Sequence, residues 1–220
     1  MHPALMIMSC LKKVPPAAQP LTLIGWAHGS GYAGSCAEPS GVQDGDLLVA
    51  MCGGFPDANA ITATSLSGSG WTKQRSRVNA SGQKAIGEIW TKTRSGAAGP
   101  YTLSTTPADS FGAHVSISAW RYADLSTFAF SDTDNSDATV DIPGVAVPVN
   151  GCYVIAYVAS YNLPGTSCTA AGLTFTSRGG AVAEAAAWTA PANSGTTATV
   201  TIASGDGFDD IGILMAIRPA

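Results

Sequence analysis

Apolar and polar positions follow one another along this chain in short runs, and Gly, Pro, Ser and Thr punctuate nearly every run. Two of the runs are continuously apolar, at residues 45–51 (Gly-Asp-Leu-Leu-Val-Ala-Met) and 151–157 (Gly-Cys-Tyr-Val-Ile-Ala-Tyr). A Gly-led run of this length reads as a central strand covered on both faces. Other runs alternate with period two, as at 101–104 and 198–202, which is the mark of a strand with one covered face. Nowhere does a long stretch combine helix-forming residues with a 3.6-residue period, so the elements predicted are strands and turns.

The runs also repeat. Residues 45–51 match 151–157, 70–76 match 172–178, and 85–91 match 183–189, the last pair each carrying a Trp-Thr step (Trp90-Thr91 and Trp188-Thr189). Residues 101–104 then match 198–202, a segment with Asp109 and Phe111 matches one with Asp206 and Phe208, and 115–121 match 212–218, both ending in Arg. Each half supplies about five strands, too few to bury an apolar face alone, so the halves are expected to cover one another as the layers of a single sandwich. The expected fold is all-β, an antiparallel jelly-roll-like or Greek-key sandwich of two similar halves, at about 42–124 and 148–220, within one domain over 21–220. Outside the repeat, 21–42 reads as an outer strand followed by a long loop. The acidic, Ser/Thr-rich segment 126–141 reads as an exposed loop or a short crossing strand.

Composition adds to this picture at three points. Charged residues make up 12% of the chain, about half the usual share, so part of the surface is expected to be covered by neighbouring subunits. The net charge of −4 comes with no basic cluster, which disfavours nucleic acid as a partner. The five cysteines include no Cys-x-x-Cys pair, and Cys52 and Cys152, at the ends of apolar runs, are expected to be core thiols. A bridge between loop cysteines such as Cys36 and Cys168 stays open.

The first 20 residues stand apart. An apolar stretch is followed, not preceded, by Lys12 and Lys13, the reverse of a secretory signal, and it is too short to span a membrane. Pro15, Pro16 and Pro20 then make a stiff spacer. Residues 1–20 are therefore read as an extended N-terminal arm that a neighbouring subunit holds. Leu5, Met6, Ile7, Met8 and Leu11 are its expected contact residues.

Chemistry is sparse. No nucleophile elbow, zinc-protease helix motif or phosphate-binding loop is present, so no catalytic residue is nominated and the chain is read as a non-enzyme without cofactor. His114 lies in phase with Ser116 and Ser118, and is read as a polar residue on the wet face of a strand rather than as part of a triad. Asp132, Asp134, Ser136 and Asp137 crowd together, and alternate oxygens along this run could bind a hard cation. The three aspartates are the calcium candidates, but Asp137 stands where a calcium loop needs Gly, and a solvated acidic loop is the preferred reading. Trp26, Tyr32 and Tyr161, expected in loops, are the candidates for stacking on a glycan.

Taken in order, Gly-Asp-Leu-Leu-Val-Ala (45–50), Gly-Trp-Thr (70–72), Ile-Trp-Thr-Lys (89–92), Tyr-Thr-Leu (101–103) and Ser-Ala-Trp-Arg (118–121) make a recognisable series. It resembles the β-sandwich domains that recur in tailed-bacteriophage virion proteins, fibres and head-surface proteins alike. The resemblance covers 42–124 directly and the second half as a degenerate copy. It implies a structural virion protein. Without heptads or a shaft repeat, a capsid decoration (cement) protein is expected before a fibre. The resemblance further implies the major capsid protein or other virion subunits as partners, a homo-oligomer, and assembly into virions in the host cytoplasm. The alternatives are a glycan-binding, host-recognition module and a small tail or neck component.

Overall fold

The structure, a computed structural model, describes residues 19–29, 34–54, 61, 63–79, 85–106, 113–135, 139–159, 168–170, 173–177, 183–188, 192–203 and 210–220. Among these the regular structure is all strand, and no helix is long and apolar enough to cross a membrane.

The first half runs through β1 (Thr22–His28), β2 (Ser35–Cys36), β3 (Leu47–Gly54), β4 (Ala63–Leu66), β5 (Thr72–Val78), β6 (Ile86–Thr93), β7 (Tyr101–Thr106) and β8 (Ala113–Arg121). The second runs through β9 (Ala129–Asn135), β10 (Thr139–Ile142), β11 (Ala146–Val147), β12 (Tyr153–Ala159), β13 (Cys168–Ala170), β14 (Leu173–Ser177), β15 (Ala183–Trp188), β16 (Gly195–Thr196), β17 (Val200–Ala203) and β18 (Asp210–Ile217).

Strand order confirms the duplication and extends it. The large sheet of the first half is β1-β8-β3-β6-β5, and its small sheet is β2-β7-β4. The second half repeats this as β9-β18-β12-β15-β14, running on through β13-β17-β10. The order 1-8-3-6 faced by 2-7-4 is that of a jelly roll, and every pairing within it is antiparallel. Segment 126–141, read from sequence as a loop or crossing strand outside the repeat, instead supplies β9 and β10. These are the counterparts of β1 and β2. Register supports the match, because Trp26 lies opposite Ser118 and Phe130 opposite Met215, equivalent places in β8 and β18.

The layering also differs from the expectation. Each half has its own small sheet, so the two halves are two sandwiches packed back to back through their large sheets. Leu48, Ala50, Val115 and Ile117 face Cys36, Tyr101 and Leu103 of the small sheet in one core. Val154, Ala156 and Leu214 face Val140, Ile142, Val200 and Ile202 in another. Between the halves, Val49, Met51, Ile89 and Trp120 meet Ile155, Tyr157, Ile211, Ile213 and Met215. Both faces of each large sheet are thereby covered. This is why β3 and β12 are apolar throughout, and why β3 and β18 are buried at every position.

Glycine makes the central seam close. Gly53 and Gly87 are paired across β3 and β6. A Cβ on Gly53 would collide with the Tyr157 hydroxyl, and one on Gly87 would lie 2.7 Å from the Ile211 Cγ2. The bare backbone of the first half therefore receives side chains of the second. Gly45 and Gly151, which lead the matched strands, both have positive φ (93° and 87°), a turn that only Gly takes without strain.

Candidate functional site

The polar groups of the described residues gather in clusters at the edges and ends of the sandwiches. The first joins the halves. β5 alternates Arg75 and Arg77 along its edge, and β9 presents Asp132 and Asp134 opposite them. Asp132, with a side chain 3% exposed, pairs with both Arg75 and Arg77, the latter at 3.3 Å, and Arg77 also binds Asp134. The hydrogen bond to Asp134 raises the Arg77 pKa, with the nearby carboxylate charges adding to it. The two described calcium candidates are thus spent on guanidinium groups. Asp137 lies outside the described residues.

The second cluster plugs the open side of the first sandwich. In the second half β13 and β14 pair directly, whereas β4 pairs with β7 and β5 with β6, and side chains span the distance between β4 and β5. Glu88, on β6 and 1% exposed, accepts hydrogen bonds from Thr64 Oγ1 (2.8 and 2.9 Å), Ser76 Oγ (3.0 Å) and Trp90 Nε1 (2.9 Å). Lys73 Nζ lies 2.6 Å from the same carboxylate, donates to Thr64 Oγ1, and sits 4.7 Å over the Trp90 ring. A buried carboxylate survives when its lone pairs are filled in this way.

Three further pairs tie strand ends. Arg121 grips Asp46 through two hydrogen bonds of 2.9 and 2.8 Å. Burial pushes the Asp46 carboxyl up, but the Arg121 bond, the Gln43 N–H and the Arg121 and Arg94 charges outweigh it and hold the pKa below normal. Arg94 pairs with Glu38 and Asp44, and Tyr101 Oη donates to Glu38 at 2.9 Å. Arg218, near the end of the chain, binds Asp124 between the halves. The hydroxyl and N–H of Ser126, and then Arg218, hold the Asp124 carboxyl at about 2.

His114 is buried, not wet, because its face of β8 lies against the second half. Its Nε2 is 3.1 Å from Ser116 Oγ. Burial, with the His28 charge adding, lowers its pKa to about 4, so the ring is neutral at ordinary pH. Trp26, expected in a loop, is on β1 and packs against the core between the halves. Tyr32 and Tyr161 lie outside the described residues, as do Leu5, Met6, Ile7, Met8 and Leu11. Cys36, Cys52 and Cys152 are free thiols, so Cys36 is not bridged to Cys168. Burial raises Cys36 to about 11 and pushes Cys52 well above the usual thiol value, leaving little reactive thiolate.

Sequence reasoning passed over Glu88, although a lone Glu inside the apolar stretch 85–90 signals a buried, satisfied carboxylate. It also matched Trp90 with Trp188. Pairing register sets Glu88 opposite Cys52 and Glu184 opposite Val158, which are equivalent places in β3 and β12. By register Glu184 therefore corresponds to Glu88, and Trp188 to Lys92.

No family model matches the sequence, and searches of curated proteins and of solved structures return no significant match.

Proposed function

We propose that this chain is a non-enzymatic structural subunit of a virion, and specifically a decoration protein that adheres to the outside of a capsid. One observation carries the reading. Among the described residues, the side chains best suited to chemistry that are named above are committed to holding strands and halves together. Glu88 is filled by four donors, Asp132 by two arginines, His114 is held neutral against Ser116, and the buried thiols are kept protonated. A double jelly roll clamped in this way suits a load-bearing part whose work is done by its surface. The motif series that resembles phage sandwich domains supplies the particle. Its direct partners are then the major capsid protein or neighbouring virion subunits, reached through the arm residues Leu5, Met6, Ile7, Met8 and Leu11.

The test is the composition of purified particles of the phage that encodes the chain. Mass spectrometry is expected to find it at fixed stoichiometry, and particles lacking the gene are expected to lose their DNA at lower temperature. A chain abundant in the lysate and missing from the particles would overturn the reading.

A further inference from the structure

We propose that the exposed apolar patch around Pro219 is the seat for the N-terminal arm of a second copy of this chain. The proposal rests on the structural reading above, and it names the receptor surface that reading leaves open. Tyr122 and Leu125 are 46% and 44% exposed and lie in the segment between the halves, and Val149, 40% exposed, lies in the turn before β12. Pro219 and Ala220 lie between the two segments that carry them. Ala220 N donates to Tyr122 O, Ala123 bridges to Pro219, and a Cβ on Gly151 would lie 3.7 Å from the Pro219 ring. Large apolar side chains grouped at one end of a folded domain mark a contact surface.

The place where the arm leaves the fold selects the occupant. Leu21 is buried in the same core cluster as Ala123, and Thr22 pairs with Arg121, so the arm departs beside the patch. Residues 12–20 carry Pro15, Pro16 and Pro20, and a proline-rich spacer of this length extends about 28 Å. Extended, a spacer of that reach would take Leu5–Leu11 past the patch at its own root. The same geometry delivers the apolar segment to the corresponding patch of a neighbour. Because arm and patch are different surfaces, copies join by reciprocal exchange into a dimer, or head to tail into larger rings or open chains.

The experiment uses full-length chains and sedimentation velocity. The unaltered chain is expected to associate as concentration rises. An arm variant (Leu5→Ser, Ile7→Ser, Leu11→Ser) and a patch variant (Tyr122→Ser, Leu125→Ser, Val149→Ser) are each expected to raise the dissociation constant at least about tenfold. Mixed together, the two variants are expected to form a dimer, since one keeps an intact patch and the other an intact arm. This complementation also shows that both variants are folded. An unaltered chain that stays monomeric, or variants that associate as it does, would overturn the proposal. So would two variants that melt like the unaltered chain and do not pair when mixed. Any of these results leaves the presence of the chain in particles, and hence the structural reading, to be judged separately by mass spectrometry.

Discussion

At the scale of single residues, the buried polar groups set how stability depends on pH and on substitution. His114 has a folded pKa near 4 against an ordinary value of 6.5. The unfolded chain therefore takes up this proton first as pH falls. The stabilisation from keeping the ring neutral is complete above about pH 6.5 and is lost as the pH drops toward 4. The loss attributable to this residue is about 3 kcal/mol, and His114→Gln is expected to flatten that part of a urea-melt series taken from pH 7 to pH 4. An equal slope in the variant would show that other groups carry it. Glu88 makes a second case. Glu88→Leu leaves the Thr64, Ser76 and Trp90 donors without an acceptor and is expected to cost about 3–5 kcal/mol. Glu88→Gln keeps an acceptor and costs less, because Lys73, 34% exposed, recovers solvation. Chemical denaturation of both variants checks the order.

At the scale of elements, the edge strands explain how the halves stay aligned. Both outer strands of the first large sheet are bulged, β1 between Leu23 and Gly25 and β5 between Lys73 and Arg75. Bulges and edge cations discourage further strand pairing. The β5 edge turns its arginines to the other half instead. The Asp132 side chain is covered and shared, while Arg75 is 47% exposed. Removing Asp132 (Asp132→Ala) is therefore expected to cost about 1–3 kcal/mol, and Arg75→Ala less than about 1 kcal/mol. A double-mutant cycle measures the coupling, and that coupling should shrink in high salt. Equal single-mutant losses would argue against a shared carboxylate. This clamp was only half legible. Period-two alternation exposed the strands, and the Gly-led runs exposed their double burial. What β9 faces is a long-range pairing, however, and a run of Asp, Ser and Thr looks the same whether it meets water or arginine. The Trp-Thr step misled for a related reason, since a shared dipeptide says less about equivalence than the partner across the sheet.

At the scale of the whole molecule, the stack of sheets is one mechanical body. The core between the halves draws residues from both large sheets, so neither jelly roll can open without exposing an apolar face of the other. A single calorimetric transition is expected, with equal calorimetric and van't Hoff enthalpies. Two resolved transitions would mean that the halves are independent modules joined by a chain. The duplication was readable because matched runs keep their order. The number of layers was not, because a strand buried on both faces looks the same whatever covers each face.

The bare stretch at Gly53 and Gly87 gives the molecule a polarity that its repeated plan conceals. By register their counterparts in the second half are Ala159 and Ala183, and the counterpart of Tyr157 is Met51. One module has become the socket and the other the plug. Two copies of the first module would meet glycine on glycine with a hole where the tyrosine belongs. The pair is complementary as first with second. A single chain that carries both supplies socket and plug in a fixed one-to-one ratio.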